Sequence, residues 1–227
     1  MKLRLTLILL TLSISQAFSQ YADCNCNDSV LLKSFEEKLL GVVRNSIVLD
    51  TNQYYKNDWY YATIQLTSNE IITNEFLKYS GWLDEFVWLS IPSYTMSEIN
   101  SQNIKAVTLN FRAGNSAMHF RRLKVFNWIF NDSMDTFVEE LATGKISLYS
   151  RRYVDYNKNT NEYTPFFDYY IRKPDGLMYQ IRLSRGDLIA LFPEQKREFR
   201  ALLRKQRLWI TYEWEMVNAV NLYNRHF

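Results

Sequence analysis

Residues 146–183, ISLYSRRYVDYNKNTNEYTPFFDYYIRKPDGLMYQIRL, decide the fold because they contain three strand-like runs separated by two turn signals. Tyr, Phe and Ile dominate the runs, and these residues favour strands. Pro174-Asp175-Gly176 predicts a tight turn, since Pro presets φ and Gly accepts a left-handed conformation. The polar segment 157–164 predicts a second hairpin loop. The three runs are residues 146–153, 166–172 and 177–183.

Similar runs precede this stretch, and turn signals at Ser68-Asn69 and Ser80-Gly81 separate some of them. A helix is predicted over residues 28–41 before these runs, where an apolar stripe ends at Gly41. Asp132-Ser133 predicts the start of a short helix over residues 133–141. The strand-like runs are residues 59–66, 71–72, 76–79, 86–89, 104–111 and 118–126.

The C-terminal part of the chain has helical patterns. Pro193 suits a first helical residue and predicts a helix over 193–206, and a second helix is predicted over 213–225. Strands followed by helices indicate an α+β fold, with an antiparallel β-rich central region, a short N-terminal helix and two C-terminal helices. We expect residues 20–227 to form a single α+β domain, with residue 144 as the best alternative boundary.

Residues 1–19 have the three parts of a secretory signal peptide. Lys2 and Arg4 supply the positive region, residues 5–14 are apolar, and Ala17 and Ser19 suit cleavage before Gln20. The apolar stretch is shorter than the roughly 20 residues that span a bilayer. The sequence therefore predicts a secreted protein of the cell envelope, either in the periplasm or on the cell surface.

Three segments resemble a group of uncharacterised exported proteins of Gram-negative bacteria. They are NEFLKYSGWLDEFVWL at 74–89, KISLY at 145–149 and the tail from Leu191-Phe192-Pro193 to Arg204-Lys205. The resemblance implies export and an envelope setting. It implies no activity, ligand or site residue.

Cys24 and Cys26 are the only cysteines. Export permits a disulfide, but one intervening residue makes the loop small and strained. We regard them as a disulfide candidate of little structural weight, with a redox pair, an intermolecular bridge or lipidation of Cys24 as alternatives.

Catalytic and cofactor motifs are absent from the sequence. His119 and His226 are the only histidines, so no zinc-binding spacing occurs, and no glycine-rich phosphate loop is present. Ser116 lacks the complete nucleophile elbow of a hydrolase. We expect no metal and no cofactor. The adjacent acidic pairs Asp84-Glu85 and Glu139-Glu140 are the carboxylates considered for glycosidase chemistry.

Four arginines recur along one face of the helix predicted at 193–206 and just beyond it. They are candidates for binding an anionic ligand or a membrane surface, although a solvated helix face is the more ordinary explanation, since amphipathic helices are the rule in soluble domains. The net charge of +3 falls to +1 without the signal peptide, so no nucleic-acid partner is expected. The arginines are Arg197, Arg200, Arg204 and Arg207.

Aromatic residues number 36, and their preference for strands favours core positions for most of them. Trp59, Trp82 and Trp88 are the candidates for contact with a partner. The leading hypothesis is a non-enzymatic exported envelope protein that binds or supports a protein or glycan partner. The alternative is an exported hydrolase that acts on glycan or lipid through a carboxylate pair. Peripheral membrane contact stays open, and the sequence contains no signal for an oligomeric state.

Overall fold

The computed structural model describes residues 51–91, 94–111, 117–127 and 132–227. In these ranges, ten strands form one sheet in which all neighbours are antiparallel, and three helices follow. The sheet order is β10-β9-β8-β7-β6-β5-β1-β2-β3-β4. The strands are β1 Tyr60–Leu66, β2 Ile71–Ser80, β3 Glu85–Leu89, β4 Met96–Glu98, β5 Ile104–Asn110, β6 Ala117–Asn127, β7 Asp132–Ala142, β8 Ser147–Asn157, β9 Glu162–Arg172 and β10 Met178–Ile181. The helices are α1 Arg185–Ala190, α2 Lys196–Lys205 and α3 Glu213–His226.

The hairpins that the sequence predicted in its central stretch are confirmed. Gly176 has a φ of 84°, its N–H donates to the carbonyl of Lys173, and β9 and β10 pair on either side of the turn. Strands β8 and β9 pair from Ser147 with Arg172 to Asn157 with Glu162. The antiparallel β-rich region is therefore confirmed, whereas the predicted helix at 28–41 lies outside the described residues.

The helix predicted at 133–141 is wrong, because these residues belong to strand β7. Phe137 and Val138 are both fully buried although they point to opposite faces of the sheet. Burial on both faces removes the alternation of apolar and polar residues by which a strand is recognised in a sequence. In addition, Asp132-Ser133 resembles the N-terminal cap of a helix. Pairing with β6 and β8 overrides that local signal.

Three C-terminal helices are present where two were predicted. The additional helix, α1, is one and a half turns long and follows the cap residue Ser184, whose hydroxyl accepts from the N–H of Asp187 at 3.3 Å. Helix α2 begins at Lys196, so Pro193 precedes it and does not occupy its first turn. Helix α3 confirms the second prediction to within one residue.

The sheet is strongly curled. Ring contacts join Phe86 on β3 to Phe137 on β7 at 5.0 Å between centroids, although four strands separate β3 from β7 in the sheet order. Phe120 on β6 and Tyr79 on β2 complete this aromatic cluster. Side chains on the inner face can meet at these distances only because the sheet bends round them.

The turn between β2 and β3 fits between β7 and β8, where these two strands separate. The carbonyl of Gly81 accepts from the N–H of Val154 on β8 at 3.0 Å, and the Asp84 carboxylate accepts from the N–H of Phe137 on β7 at 3.2 Å. A Cβ added to Gly81 would lie 2.9 Å from the side chain of Val154. Glycine is therefore required here by close approach.

Replacing Asp84 with Asn is expected to raise the melting temperature at neutral pH. Burial raises the pKa of the Asp84 carboxyl, so this group binds a proton more tightly in the folded protein than in the unfolded chain. The stabilising contribution of this group is complete below the ordinary pKa of aspartate and is lost as the pH rises through the raised value. Asn is neutral, tolerates the φ of 56° and can still accept from Tyr79 and Phe137.

Thermal melts across a range of pH check this expectation. The two proteins should converge as the pH falls to about 3. A variant that is less stable than the wild type at neutral pH would show that the charged carboxylate is favourable at this position.

The three helices cover one face of β8, β9 and β10. Phe199 and Leu203 of α2 and Met216 and Val220 of α3 belong to one buried cluster, which also contains Leu148 and Ile171 of the sheet. A second cluster, Val125, Val138, Tyr149 and Tyr170, fills the opposite face. Strands β8 and β9 are thus apolar on both faces, which explains their nearly continuous hydrophobic runs.

Candidate binding surface at the aromatic loop

The segment Leu208–Trp214, which we call the aromatic loop, comprises the end of the connection from α2 to α3 and the first two residues of α3. It presents three large side chains to solvent. Leu208 and Ile210 are buried, whereas Trp209, Tyr212 and Trp214 are 70%, 62% and 59% exposed. The buried pair fastens the loop to the protein interior and leaves the aromatic side chains outside. Exposed Trp and Tyr residues this close in sequence are typical of a contact surface.

The backbone of the aromatic loop is held by the carboxylate of Glu215 in the first turn of α3. It accepts hydrogen bonds from the N–H groups of Trp209, Thr211 and Tyr212 at 3.3, 2.8 and 3.2 Å. The hydrogen bond from Thr211 is the main reason that the pKa of Glu215 is lowered, so this carboxylate is charged at neutral pH. The aromatic side chains therefore start from a fixed backbone.

A second anchor of the aromatic loop is the buried side chain of Arg152 on β8. Its guanidinium donates to both carboxylate oxygens of Glu213 at 2.6 and 2.9 Å and to Glu139 on β7 at 2.6 Å. The rings of Tyr55 and Phe167 lie on the guanidinium, each 5.1 Å from Cζ. The hydroxyl of Tyr169 also donates to Glu213 at 2.9 Å.

In this cluster, the effect of Arg152 on the pKa of Glu213 outweighs the effect of burial. Burial by itself raises the pKa of Glu213, but the hydrogen bonds and charge of Arg152 lower it overall. Burial also raises the pKa of Tyr55 to about 12, so its phenol stays neutral. Arg152 and Tyr169 both donate to Glu213, which makes the cluster a structural support for the aromatic loop.

A cleft of about 390 Å³ lies beside the aromatic loop, between β9, β10 and α1. Two interactions connect them: Tyr169 of the cleft donates to Glu213, and Arg185 of α1 lies 5.3 Å from the ring centroid of Trp209. The polar and aromatic side chains that line the cleft are Phe167, Asp168, Tyr169, Gln180, Arg182 and Asp187.

The two carboxylates of the cleft are in different electrostatic environments. Burial raises the pKa of Asp168, while a hydrogen bond from Arg182 at 3.0 Å lowers the pKa of Asp187. The cleft thus contains carboxylates of unequal acidity next to the partly exposed ring of Phe167. Such a lining can exchange hydrogen bonds with hydroxyl groups and contact an apolar ring face.

The predicted arginine row is exposed along its whole length. Arg197, Arg200 and Arg204 lie on α2, whereas Arg207 follows the end of the helix with a φ of 54°. The neighbouring apolar stripe is not available to a membrane, because Phe199 and Leu203 are fully buried against the rest of the protein. The helix cannot insert its apolar face into lipid without unfolding from the core.

The three tryptophans singled out from the sequence have different positions. Trp88 is 2% exposed, and its indole N–H donates to Glu75 at 2.7 Å, so it belongs to the core. Trp59 is half-buried beside Lys78. Trp82 is partly exposed in the β2–β3 turn, where its ring contacts Tyr156 and Tyr163.

The adjacent acidic pairs are separated by the structure. Glu139 binds Arg152 on one face of the sheet, and Glu140 binds Arg121 at 2.8 Å on the other face. Asp84 contacts Tyr79 and Phe137, whereas Glu85 begins β3. Neither pair shares a site.

The other predicted candidates stay apart from the aromatic loop or lie outside the described residues. His119 is exposed and contacts Thr108, and His226 contacts the carbonyl of Leu222. Cys24, Cys26 and Ser116 lie outside the described residues. Over the described part of the chain, no group of three His, Cys, Asp or Glu residues could hold a metal ion, and no helix is long and apolar enough to cross a membrane.

Sequence reasoning missed the aromatic loop and the residues that support it. Trp209, Tyr212 and Trp214 interrupt the polar surface between two predicted helices, and this interruption was the available signal. The contacts of Arg152 with Glu139 and Glu213 span 13 and 61 residues, so no local pattern indicates them. No protein-family model, curated protein or solved structure matches this chain.

Proposed function

We propose that this chain is a non-enzymatic protein of the cell envelope that binds a glycan at the aromatic loop and the adjoining cleft. The exposure of Trp209, Tyr212 and Trp214 on a loop whose backbone is fixed by Glu215 is the observation that carries the proposal. Large aromatic side chains on a preformed loop lose little conformational entropy when a ligand binds.

The chemistry of the surface favours a glycan over a protein partner. A sugar ring has apolar C–H faces, which pack on aromatic rings, and a rim of hydroxyls, which need hydrogen-bonding partners. The cleft supplies both acceptors and donors in Asp168, Gln180 and Arg182, and the hydrogen bond from Tyr169 to Glu213 connects it to the aromatic loop. An interface for a protein would have a more continuous apolar centre.

The double substitution Trp209→Ala and Trp214→Ala is expected to weaken glycan binding at least tenfold without unfolding the protein. Each of the two substitutions removes an exposed indole ring that would contact the glycan. Such aromatic contacts contribute about 2 kcal/mol or more at binding hot spots. The measurement is co-sedimentation of the purified protein with insoluble peptidoglycan sacculi, supplemented by titration with soluble envelope polysaccharide.

Tyr94→Ala is the matched control, because Tyr94 is 77% exposed and lies between β3 and β4, outside the aromatic loop and the cleft. It should bind as well as the wild type. Binding that survives the double substitution, or failure of the wild type to bind either glycan, would contradict the proposal. Retention of one envelope protein by the wild type alone would identify a protein partner in its place.

A second candidate function is hydrolysis of the glycan in the cleft, in line with the carboxylate-pair alternative. The occurrence of Asp168 and Asp187 in the lining of one cleft favours it, because most glycosidases use two carboxylates and burial raises the pKa of Asp168. The sacculus incubation distinguishes the two functions. Soluble sugar released by the wild type and not by Asp168→Asn would indicate hydrolysis, whereas binding without release supports a non-enzymatic protein.

A further inference from the structure

The positive charge of this protein is concentrated in one short segment. Residues 196–207 contain six of the 27 Lys and Arg residues and one of the 24 Asp and Glu residues. The segment therefore has a net charge of +5, and the rest of the chain has a net charge of −2. Such an asymmetry indicates an anionic partner at this segment, although the overall charge is small.

The structure places this charge on the outside of α2. Arg197, Arg200 and Arg204 recur at helical spacing and are exposed, while Phe199 and Leu203 face the core. None of the three arginines forms an ion pair with a described carboxylate. Their charge is therefore available to a partner.

We infer that the outer face of α2 is a docking surface for an anionic lipid membrane. The arginines lie along the exposed side of a helix about 15 Å long, so a flat layer of headgroups can contact all of them together. A small anion would contact one or two. Basic residues that cluster at a surface are attracted additively to anionic lipid.

The buried stripe determines how the protein lies on the membrane. Because Phe199 and Leu203 stay in the core, α2 rests on the headgroups without inserting into the acyl chains. Trp209 lies two residues beyond Arg207 and is 70% exposed, and Trp prefers the interfacial zone of a membrane. Binding should therefore be reversible and sensitive to salt.

The test is co-sedimentation of the full mature chain with vesicles of phosphatidylcholine alone or mixed with phosphatidylglycerol. We expect binding only to the anionic vesicles, and loss of that binding in salt of about 0.5 M. The triple variant Arg197→Glu, Arg200→Glu and Arg204→Glu should bind at least about tenfold more weakly. It should keep the wild-type melting temperature, because all three side chains are exposed.

A matched variant with the same change in net charge is Lys105→Glu, Lys124→Glu and Lys158→Glu, at exposed positions outside α2. It should bind anionic vesicles as the wild type does. Equal loss in both variants would attribute binding to net charge and overturn the inference. So would binding that ignores lipid charge, or binding of a soluble polyanion without any binding of vesicles. The arginine variant should still bind sacculi, because its substitutions lie outside the aromatic loop and the cleft. Sacculus binding therefore tests the proposed glycan function separately from this inference.

Discussion

Replacing Arg152 with Ala is expected to lower the free energy of unfolding by about 3–5 kcal/mol. The side chain is 3% exposed and satisfies two carboxylates, so its removal leaves Glu139 and Glu213 close together without a cation. The rings of Tyr55 and Phe167, which also contact each other, both lose their guanidinium neighbour. Urea denaturation of the purified variant measures the effect.

Arg121→Ala is the control for this substitution. Arg121 also binds a glutamate on β7, but its side chain is 51% exposed, so its removal should cost less than about 1 kcal/mol. Equal losses in the two variants would show that burial of the Arg152 cluster contributes nothing. The triple variant Arg152→Met, Glu139→Leu and Glu213→Leu should recover much of the stability, because no uncompensated charge remains.

The stability lost in the Arg152 variant should depend on pH. The pKa of Glu213 is lowered in the folded protein, so its contribution is present above the ordinary pKa of glutamate and is lost as the pH falls through the lowered value. The wild type and Arg152→Ala should therefore become more similar in acid. A constant difference would contradict the ion pair as the source of the effect.

Phe86→Ala is expected to lower the free energy of unfolding by about 3–5 kcal/mol, because it opens a cavity in the curled sheet. Phe86 is fully buried and contacts the rings of Tyr79, Phe120 and Phe137 at 5.2, 5.6 and 5.0 Å. These contacts join strands that are distant in the sheet order. Urea denaturation and the protection of β3 and β7 amides from hydrogen exchange measure the loss.

Phe166→Ala is the matched control, because Phe166 also makes a ring contact, with Tyr153 at 5.4 Å, but is 42% exposed. It should lose much less stability, since about two fifths of the removed surface is already exposed to water in the folded protein. A small effect of Phe86→Ala with unchanged protection of β7 would mean that the sheet curls without this cluster.

The aromatic cluster round Phe86 and the Arg152 cluster connect different parts of the fold. The aromatic cluster keeps the sheet curled, and the Arg152 cluster connects β7, β8 and β9 to the start of α3. Asn224 adds a third connection, since it both accepts from and donates to the backbone of Ile146 at 2.8 and 2.9 Å. The aromatic loop depends on this framework, because Glu213 and Glu215 belong to the first turn of α3.

Local patterns predicted most of the strands and two helices. Strand β1 alternates between buried and more exposed residues as its sequence suggested, and the Pro-Asp-Gly turn has the left-handed glycine that its order requires. The helix at 133–141 failed because burial on both faces erased the alternation. The short strand β4 was missed because three residues are too few to form a pattern.

The candidate site was predicted only in part. The exposed arginine row follows from helical spacing, which a sequence displays directly. Helical spacing does not predict that Trp88 is buried or that Trp209 and Trp214 are exposed. The burial of a tryptophan depends on which strands lie beside it.

The sequence by itself determined the antiparallel hairpins, the two longer C-terminal helices and the arginine spacing, because turn chemistry and periodicity act between neighbouring residues. The tertiary structure alone decided that β7 is a strand, that Arg152 joins Glu139 and Glu213, and that three aromatic side chains remain in solvent. These outcomes depend on contacts between residues far apart in the chain. Burial and charge pairing are settled by the whole sheet and its helices together, and not by any segment alone.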